Sequence, residues 1–349
     1  MGSRSLLALL LGAGVLLVLQ SCSPGVSTRT LDDIFAEYAG DQPGAAVMVL
    51  KNGTPQLSRC YGLANVETGT PVTPATNFRL ASVTKQFTAT AILILIERGE
   101  LDLQSTLSQY LPELPAYANA ITLEQVLSHT SGLVDYESVM ADTATIQVHD
   151  IDVVHLVASV DTTYFVPGTQ YQYSNSGYAL LAIIVERVAG MSFPDFLKTE
   201  IFDPLGMENT LAFVKGQNSI PNRAMGYHVH DDTVEFSDQS PTSAVLGDGG
   251  IYTSLNDMAR WDLALYDNPL IPVELQERAW TPGLEDYGFG WRINDYSGYR
   301  RIHHTGGTCG FSTIYIRFPD EDLSFIVFSN RREPGISSVA YELVDHFLN

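Results

Sequence analysis

A hydroxyl three residues ahead of an amine is the first pairing in this chain that could do chemistry. Ser82-Val83-Thr84-Lys85 opens an apolar run predicted to be a helix. Residues i and i+3 share a helix face, so the Ser82 hydroxyl and the Lys85 amine can meet. Free N–H groups and the macrodipole at a helix start favour negative charge developing at Ser82. A lysine leading into apolar surroundings loses part of its preference for charge, which suits it to act as a base. Of the four lysines (Lys51, Lys85, Lys198, Lys215), only Lys85 has such a serine neighbour. A capping serine followed by a surface lysine would show the same spacing.

Two further groups carry suitable chemistry. Tyr173-Ser174-Asn175 precedes a predicted helix; a tyrosine beside a cation can relay a proton, and Asn175 offers an amide for binding. His303-His304-Thr305-Gly306-Gly307 ends a predicted strand, where the glycines let a substrate backbone approach an exposed edge. A backbone N–H there could form an oxyanion hole with that of Ser82. Taken singly, these also read as a packing tyrosine and a turn with two exposed histidines. Ser128-His129 reads as a helix end. His228-Val229-His230-Asp231-Asp232 has metal-ligand residue types but no recognisable third ligand, and reads as a solvated loop. No Gly-x-Ser-x-Gly elbow, His-Glu-x-x-His zinc motif or cofactor fingerprint is found, so neither a metal nor a cofactor is expected.

The elements that must position these residues follow from periodicity. Residues 31–39 space Leu31, Ile34, Phe35 and Tyr38 as a helix, with Thr30 as cap and Gly40 as stop. Two β-rich runs, about 45–51 and 56–64, flank Asn52-Gly53, a hairpin signal. From Ser82 to about Glu97 the chain is apolar on nearly every side, which predicts a helix buried inside the protein. Short helices are expected at 122–128, 152–159, 177–189, 193–200 and 254–266, then strands at 288–293, 299–304, 312–318 and 323–329 and a closing helix at 337–348. Strands at both ends around a helical middle predict an α+β fold. One antiparallel sheet is assembled from the two termini, with an inserted, mainly helical lobe over about 100–265.

Composition bounds the function. Hydrophobic residues at 45% and charged residues at 17% of 349 describe a globular protein. The net charge of −21 repels phosphate backbones and anionic lipid heads, so nucleic-acid binding is not expected. Three cysteines are too few for a disulfide scaffold. After Arg4, the uncharged run Leu6–Leu19 suits a secretory signal better than a bilayer span. Leu19-Gln20-Ser21-Cys22 resembles the bacterial lipoprotein box, with Gln20 departing from the usual small or apolar choice. The expectation is a signal peptide over 1–21, lipidation at Cys22, a tether over 22–29 and a single domain over 30–349. An ordinary secretory signal cut nearby is the alternative.

Together, in this order and at these spacings, the three motifs resemble the serine penicillin-recognising superfamily, whose related set is Ser-x-x-Lys, Ser-Asp-Asn and Lys-Thr-Gly. Tyr-Ser-Asn with His-Thr-Gly looks more like the branch of class C β-lactamases, serine D-Ala-D-Ala carboxypeptidases, D-aminopeptidases and related esterases. Leu127–Leu133, Pro204–Met207, Gly249–Ser254 and Tyr287–Trp291 agree with that branch. The resemblance covers roughly residues 30 to 348 and implies a β-lactamase/transpeptidase-like α/β sandwich. By it, Ser82 is the acylated nucleophile, Lys85 and Tyr173 share base and acid duties, and Asn175 binds the substrate amide. The N–H groups of Ser82 and Gly307 form the oxyanion hole, and His304, Thr305 and Gly306 lie on the substrate's carboxylate side. His304 stands where most class C β-lactamases carry lysine, exchanging a permanent charge for one expected to titrate near neutrality. The implied activity is hydrolysis of D-amino-acid peptides of cell-wall type by an exported, envelope-anchored monomer. An esterase, a weak β-lactamase, and a lipoprotein that binds cell-wall fragments without turnover remain open.

Overall fold

The computed structural model describes residues 29–141, 143–231 and 233–348. The expected signal peptide and Cys22 lie outside them. At the centre is a six-stranded antiparallel sheet. Its N-terminal strands are β1 (Ala45–Lys51) and β2 (Thr54–Tyr61). A two-stranded hairpin, β3 (Tyr227–His230) and β4 (Thr233–Phe236), stands apart from it. The C-terminal strands are β5 (Arg292–Tyr296), β6 (Tyr299–Thr308), β7 (Phe311–Phe318) and β8 (Leu323–Ser329). The order is β5-β6-β7-β8-β1-β2, so the chain's two ends meet where Ala45 pairs with Ser329 and Lys51 with Leu323. The α+β arrangement read from the sequence is the one observed.

Burial explains why β1, Ala-Ala-Val-Met-Val-Leu, lacks the alternation of a half-exposed strand: both of its faces are covered. Ala46, Met48 and Leu50 point into the core shared with the helical lobe, whereas Ala45, Val47 and Val49 join a second core. That second core is closed by Ile34, Phe35 and Tyr38 and by Ala340, Leu343 and Val344 of the last helix, Ser337–Leu348.

In the core shared with the lobe, α1 (Lys85–Glu97) runs as the fully enclosed helix its all-round apolarity predicts, buried from Lys85 to Leu95. α3 (Asn175–Ala189) and α4 (Leu255–Asp267) pack beside it, and α2 (Asp150–Ala158) packs against α3. Buried polar groups pin these helices together: Trp261 of α4 donates its Nε1–H to Gln86 Oε1 of α1 at 2.7 Å. Thr88 donates to the Gly247 carbonyl at 2.7 Å. No helix among the described residues is long and apolar enough to cross a membrane.

Among the boundaries that differ from expectation, β6 runs on to Thr308 rather than stopping at 304. The first helix stops at Ile34, where Phe35 turns the chain into a short 3₁₀ segment, Ala36–Tyr38. Gly62, at φ +63°, ends β2 and leaves Leu63–Asn65 as a separate strand. Residues 288–291 form a tight turn before β5 in place of the expected strand. A Cβ on Gly288 would strike the Ala279 carbonyl, and Gly290 sits at φ +77°.

Cys60 lies on the edge strand β2, whereas Cys309 lies in the β6–β7 turn. At least three strand spacings of ~4.8 Å, about 14 Å, separate them, beyond the ~7 Å Cα reach of a disulfide. Both thiols are free in the structure. Quantitative alkylation of denatured, unreduced protein is expected to modify both, and a peptide pair linked through them would contradict the strand order.

Candidate active site

The turn that carries Ser82 is strained. Ala81 adopts φ +49°, a left-handed conformation rarely taken by a residue with a Cβ. Ser82 itself sits in a 3₁₀ turn, Ala81–Thr84, one turn ahead of α1 rather than on its first α-helical residues. This tighter winding serves the pairing better than expected, because residues i and i+3 eclipse in a 3₁₀ helix. Ser82 Oγ and Lys85 Nζ are 3.2 Å apart.

Lys85 is fully buried, and its amine touches three segments of chain. Besides Ser82 Oγ, Nζ donates to Asn175 Oδ1 at 2.9 Å and to the Asp248 carbonyl at 2.8 Å. Neither of those oxygens can donate in return, so two N–H bonds are fixed; only the contact with the Ser82 hydroxyl can run in either direction. The rings of Tyr173 and Tyr178 lie 4.9 and 5.5 Å from Nζ. Tyr173 Oη is buried without a hydrogen-bond partner among the described residues.

His129 supports Tyr173 from beneath. Its ring lies 4.2 Å from that of Tyr173 and 4.5 Å from that of Tyr287, and its Nδ1 accepts the Ser174 N–H at 3.2 Å. Burial first, then the Lys85 charge, push its pKa well below the usual histidine value. As expected of a helix end, His129 at φ +56° follows the helix Leu123–Leu127. Asn175 is fixed by its backbone N–H to Asp135 Oδ2 at 2.7 Å and by its Nδ2–H to Glu137 Oε1 at 3.1 Å.

Strand β6 forms the opposite wall. Gly306 is required there because a Cβ would collide with the Leu80 carbonyl and Thr313 Oγ1. Thr305 and Gly307 are exposed on this wall, with the Arg332 guanidinium lying against Gly307. Arg292 is braced beside it by Tyr171, whose hydroxyl accepts Nη2–H at 2.9 Å. Ser82, Tyr173, Arg292, His304 and Arg332 line one cavity of about 420 Å³. On the other side of Ser82 are Glu137 and Asp248. Desolvation, then the neighbouring Asp135, raises the Glu137 pKa; desolvation also raises that of Asp248 to about 6, opposed by Lys85.

The structure thus brings Ser82, Lys85, Tyr173, Asn175, His304, Thr305, Gly306 and Gly307 to one cleft, but it corrects the expected charge of His304. Its Nδ1–H donates to the Thr305 carbonyl at 2.7 Å, which leaves Nε2 to accept the Tyr287 hydroxyl at 2.9 Å. Burial first, then Lys85, lower its pKa to about 3, so the ring is neutral where it was expected to titrate. Positive charge on this side comes instead from Arg292 and Arg332, which sequence reading missed, as it missed Glu137 and Asp248. Arg292 directly follows the Tyr287–Trp291 motif, a signal that was present; Arg332 carries none.

A serine–lysine pair at the junction of such a sheet and lobe belongs with serine hydrolases that work by acyl transfer. The family model described as Beta-lactamase matches residues 31–347, and the chain belongs to that family. It is 33% identical over 314 residues to penicillin-binding protein 4* of Bacillus subtilis (strain 168), covering 84% of this chain and 69% of that one. It is 31% identical over 299 residues to a D-aminopeptidase of Gluconobacter oxydans (strain 621H), covering 82% of this chain but 56% of the relative. A penicillin-binding protein from Bacillus halodurans superposes with a TM-score of 0.76 at 26% identity, over 92% of this chain and 98% of that one.

His303 and His304 together give a pH dependence of stability. Both have pKa values lowered to about 3, chiefly by burial. Unfolded chains bind a proton on each ring below ~6.5, whereas the folded protein does not until about pH 3, so acid favours unfolding across that window. The urea midpoint is expected to fall between pH 7 and pH 4. His303→Leu, similar in volume and without the proton, should narrow that fall; an unchanged difference would remove His303 from the effect.

Proposed function

We propose that Ser82 is the nucleophile of an acyl-transfer hydrolase acting on short D-amino-acid peptides with a free C-terminal carboxylate. The observation that carries the substrate reading is the polarity of the cleft about Ser82. Arg292 and Arg332 lie on the β6 side; the other side holds Glu137 and Asp248, with one arginine, Arg79, whose Nη2–H is turned to the Ser243 carbonyl. A peptide whose carboxylate faces the arginines and whose amino group faces the acids matches both walls. The D-configuration is suggested by the D-aminopeptidase relative.

The hydrogen bonds of Lys85 suit a base. As a neutral amine it keeps its two N–H bonds to Asn175 Oδ1 and the Asp248 carbonyl and turns its lone pair to the Ser82 hydroxyl. Ser82 Oγ then attacks the scissile carbonyl carbon as Lys85 takes its proton. The N–H groups of Ser82 and Gly307 hold the resulting oxyanion. Tyr173, whose hydroxyl has no competing partner among the described residues, hands a proton to the departing amine and regains it through Lys85. Water attacks the acyl-enzyme by the same route in reverse, releasing the acid and restoring Ser82. Lipidation at Cys22 would tether this domain to the cell envelope.

The test sets a D-Ala-D-Ala peptide, a nitrophenyl ester and a chromogenic cephalosporin side by side, with burst and steady state recorded separately. Steady turnover of the peptide is expected; a burst without turnover would leave only a binding protein. A penicillin or fluorophosphonate adduct should map to Ser82. Lys85→Arg keeps the charge but cannot supply a base, so turnover should fall by several orders of magnitude. Retention of more than about a tenth of the activity, ~1.4 kcal/mol of barrier, would reduce Lys85 to electrostatic support.

A separate measurement addresses the arginines. Arg332→Gln should raise KM for the peptide about tenfold or more while leaving the neutral ester unaffected. Because guanidinium groups do not titrate and His304 stays neutral, the peptide-to-ester ratio of kcat/KM should be flat between about pH 6 and 8 for a peptide whose amino group is acetylated. Acetylation removes the titration of that group and its pairing with Glu137 and Asp248. A ratio that falls with a midpoint near ~6.5 would return the charge to histidine.

A further inference from the structure

His228 and His230 had no third ligand in the sequence, and folding supplies one a hundred residues away. The two histidines are alternate residues of β3, so they share one face of the strand. Their rings lie parallel, with centroids 5.9 Å apart and planes at 10°. The segment that follows β8 runs alongside: Tyr227 donates its N–H to the Asn330 carbonyl at 3.0 Å, and Arg332 donates to the Tyr227 carbonyl at 3.0 Å. This backbone register sets Glu333 beside β3, with its Oε2 2.7 Å from His228 Nδ1. One ligand atom from each of His228, His230 and Glu333 lies within 4.8 Å of the others.

We propose that His228, His230 and Glu333 bind a divalent cation of the zinc class, which clamps the β3–β4 hairpin to the segment after β8. Two imidazoles and one carboxylate form a donor set suited to Zn²⁺, Ni²⁺ or Cu²⁺ rather than Mg²⁺ or Ca²⁺. Tetrahedral coordination at ~2.0–2.2 Å places ligand atoms roughly 3.3 Å apart. The longest separation must therefore close by no more than about 1.5 Å, starting from 4.8 Å. Side-chain rotation can do this, since His230 is exposed and the His228 and Glu333 side chains are 31% and 40% accessible. To bind through Nδ1, the neutral His228 ring carries its proton on Nε2, so the cation takes the place of the Nδ1–H that faces Glu333. Glu235, paired opposite His228 across the hairpin, lies on the same face and adds negative charge. The clamped segment also carries Arg332, so the cation fixes one end of the piece of chain that reaches the cleft.

The test uses the full chain without an affinity tag, stripped with chelator and titrated with Zn²⁺ by calorimetry. One equivalent should bind and raise Tm. His230→Ala and Glu333→Gln should each weaken binding about tenfold or more and abolish the rise in Tm, while their Tm in chelator matches the parent. His346→Ala, which removes an exposed histidine elsewhere, should leave binding unchanged. Absence of saturable binding, or the parent's affinity in both site variants, would overturn the proposal. Neither result depends on hydrolysis of any substrate.

Discussion

The buried amine of Lys85 is the group on which the rest of the site depends. Removing such a group from water costs several kcal/mol unless polar partners surround it. Here the partners come from the Ser82 turn, from Asn175 at the head of α3, and from the carbonyl of Asp248 before the strand Ile251–Thr253. Each segment is positioned by its own constraint: a left-handed Ala81, an Asp135 clasp on the Asn175 backbone, and a Tyr136 hydroxyl held to Asp248 Oδ2 at 3.1 Å. The lobe and the sheet are thus tied at the point where the chemistry is placed. A change that loosens any one of the three leaves a buried amine short of an acceptor.

The aromatic shell around that amine explains why a histidine can occupy the position after His303 without contributing charge. Tyr173, Tyr178, Tyr287 and His129 exclude water from the Lys85 side of His304. The Lys85 amine already occupies this enclosed space, and a charged imidazole would have to share it. The arginines avoid that conflict by standing at the mouth, where Tyr171 and Tyr287 face Arg292 at 5.7 and 5.4 Å from their ring centres. The division of labour is between an enclosed interior that holds the Lys85 amine and a rim that carries the fixed charge of the arginines.

The sheet, the enclosed helix and the serine–lysine pair were legible because each rests on local pattern. Asn52-Gly53 marks the first hairpin, apolarity on all sides marks α1, and an i, i+3 spacing suffices to join Ser82 to Lys85. The expected strand over 288–293 failed because its glycines serve close backbone approach, which periodicity does not report. Arg332 and Glu333 became legible only once Tyr227 was seen to pair with the chain after β8. The state of His304 was hidden for a different reason: charge depends on burial by residues scattered from Lys85 to Tyr287, and residue type alone suggests the unperturbed value.

Pairing β1 with β8 has a consequence for how the molecule comes into being. Ala45 must find Ser329, a separation of 329 − 45 = 284 residues. Closing a flexible loop of that length costs about 5 kcal/mol by the (3/2)RT ln n relation, before the contacts it permits can repay any of it. Until the last tenth of the chain has emerged from the ribosome, β1 has only β2 beside it, and a continuous apolar edge is left unpaired. The nascent N-terminal hairpin is therefore the part of this protein that a chaperone has most reason to hold.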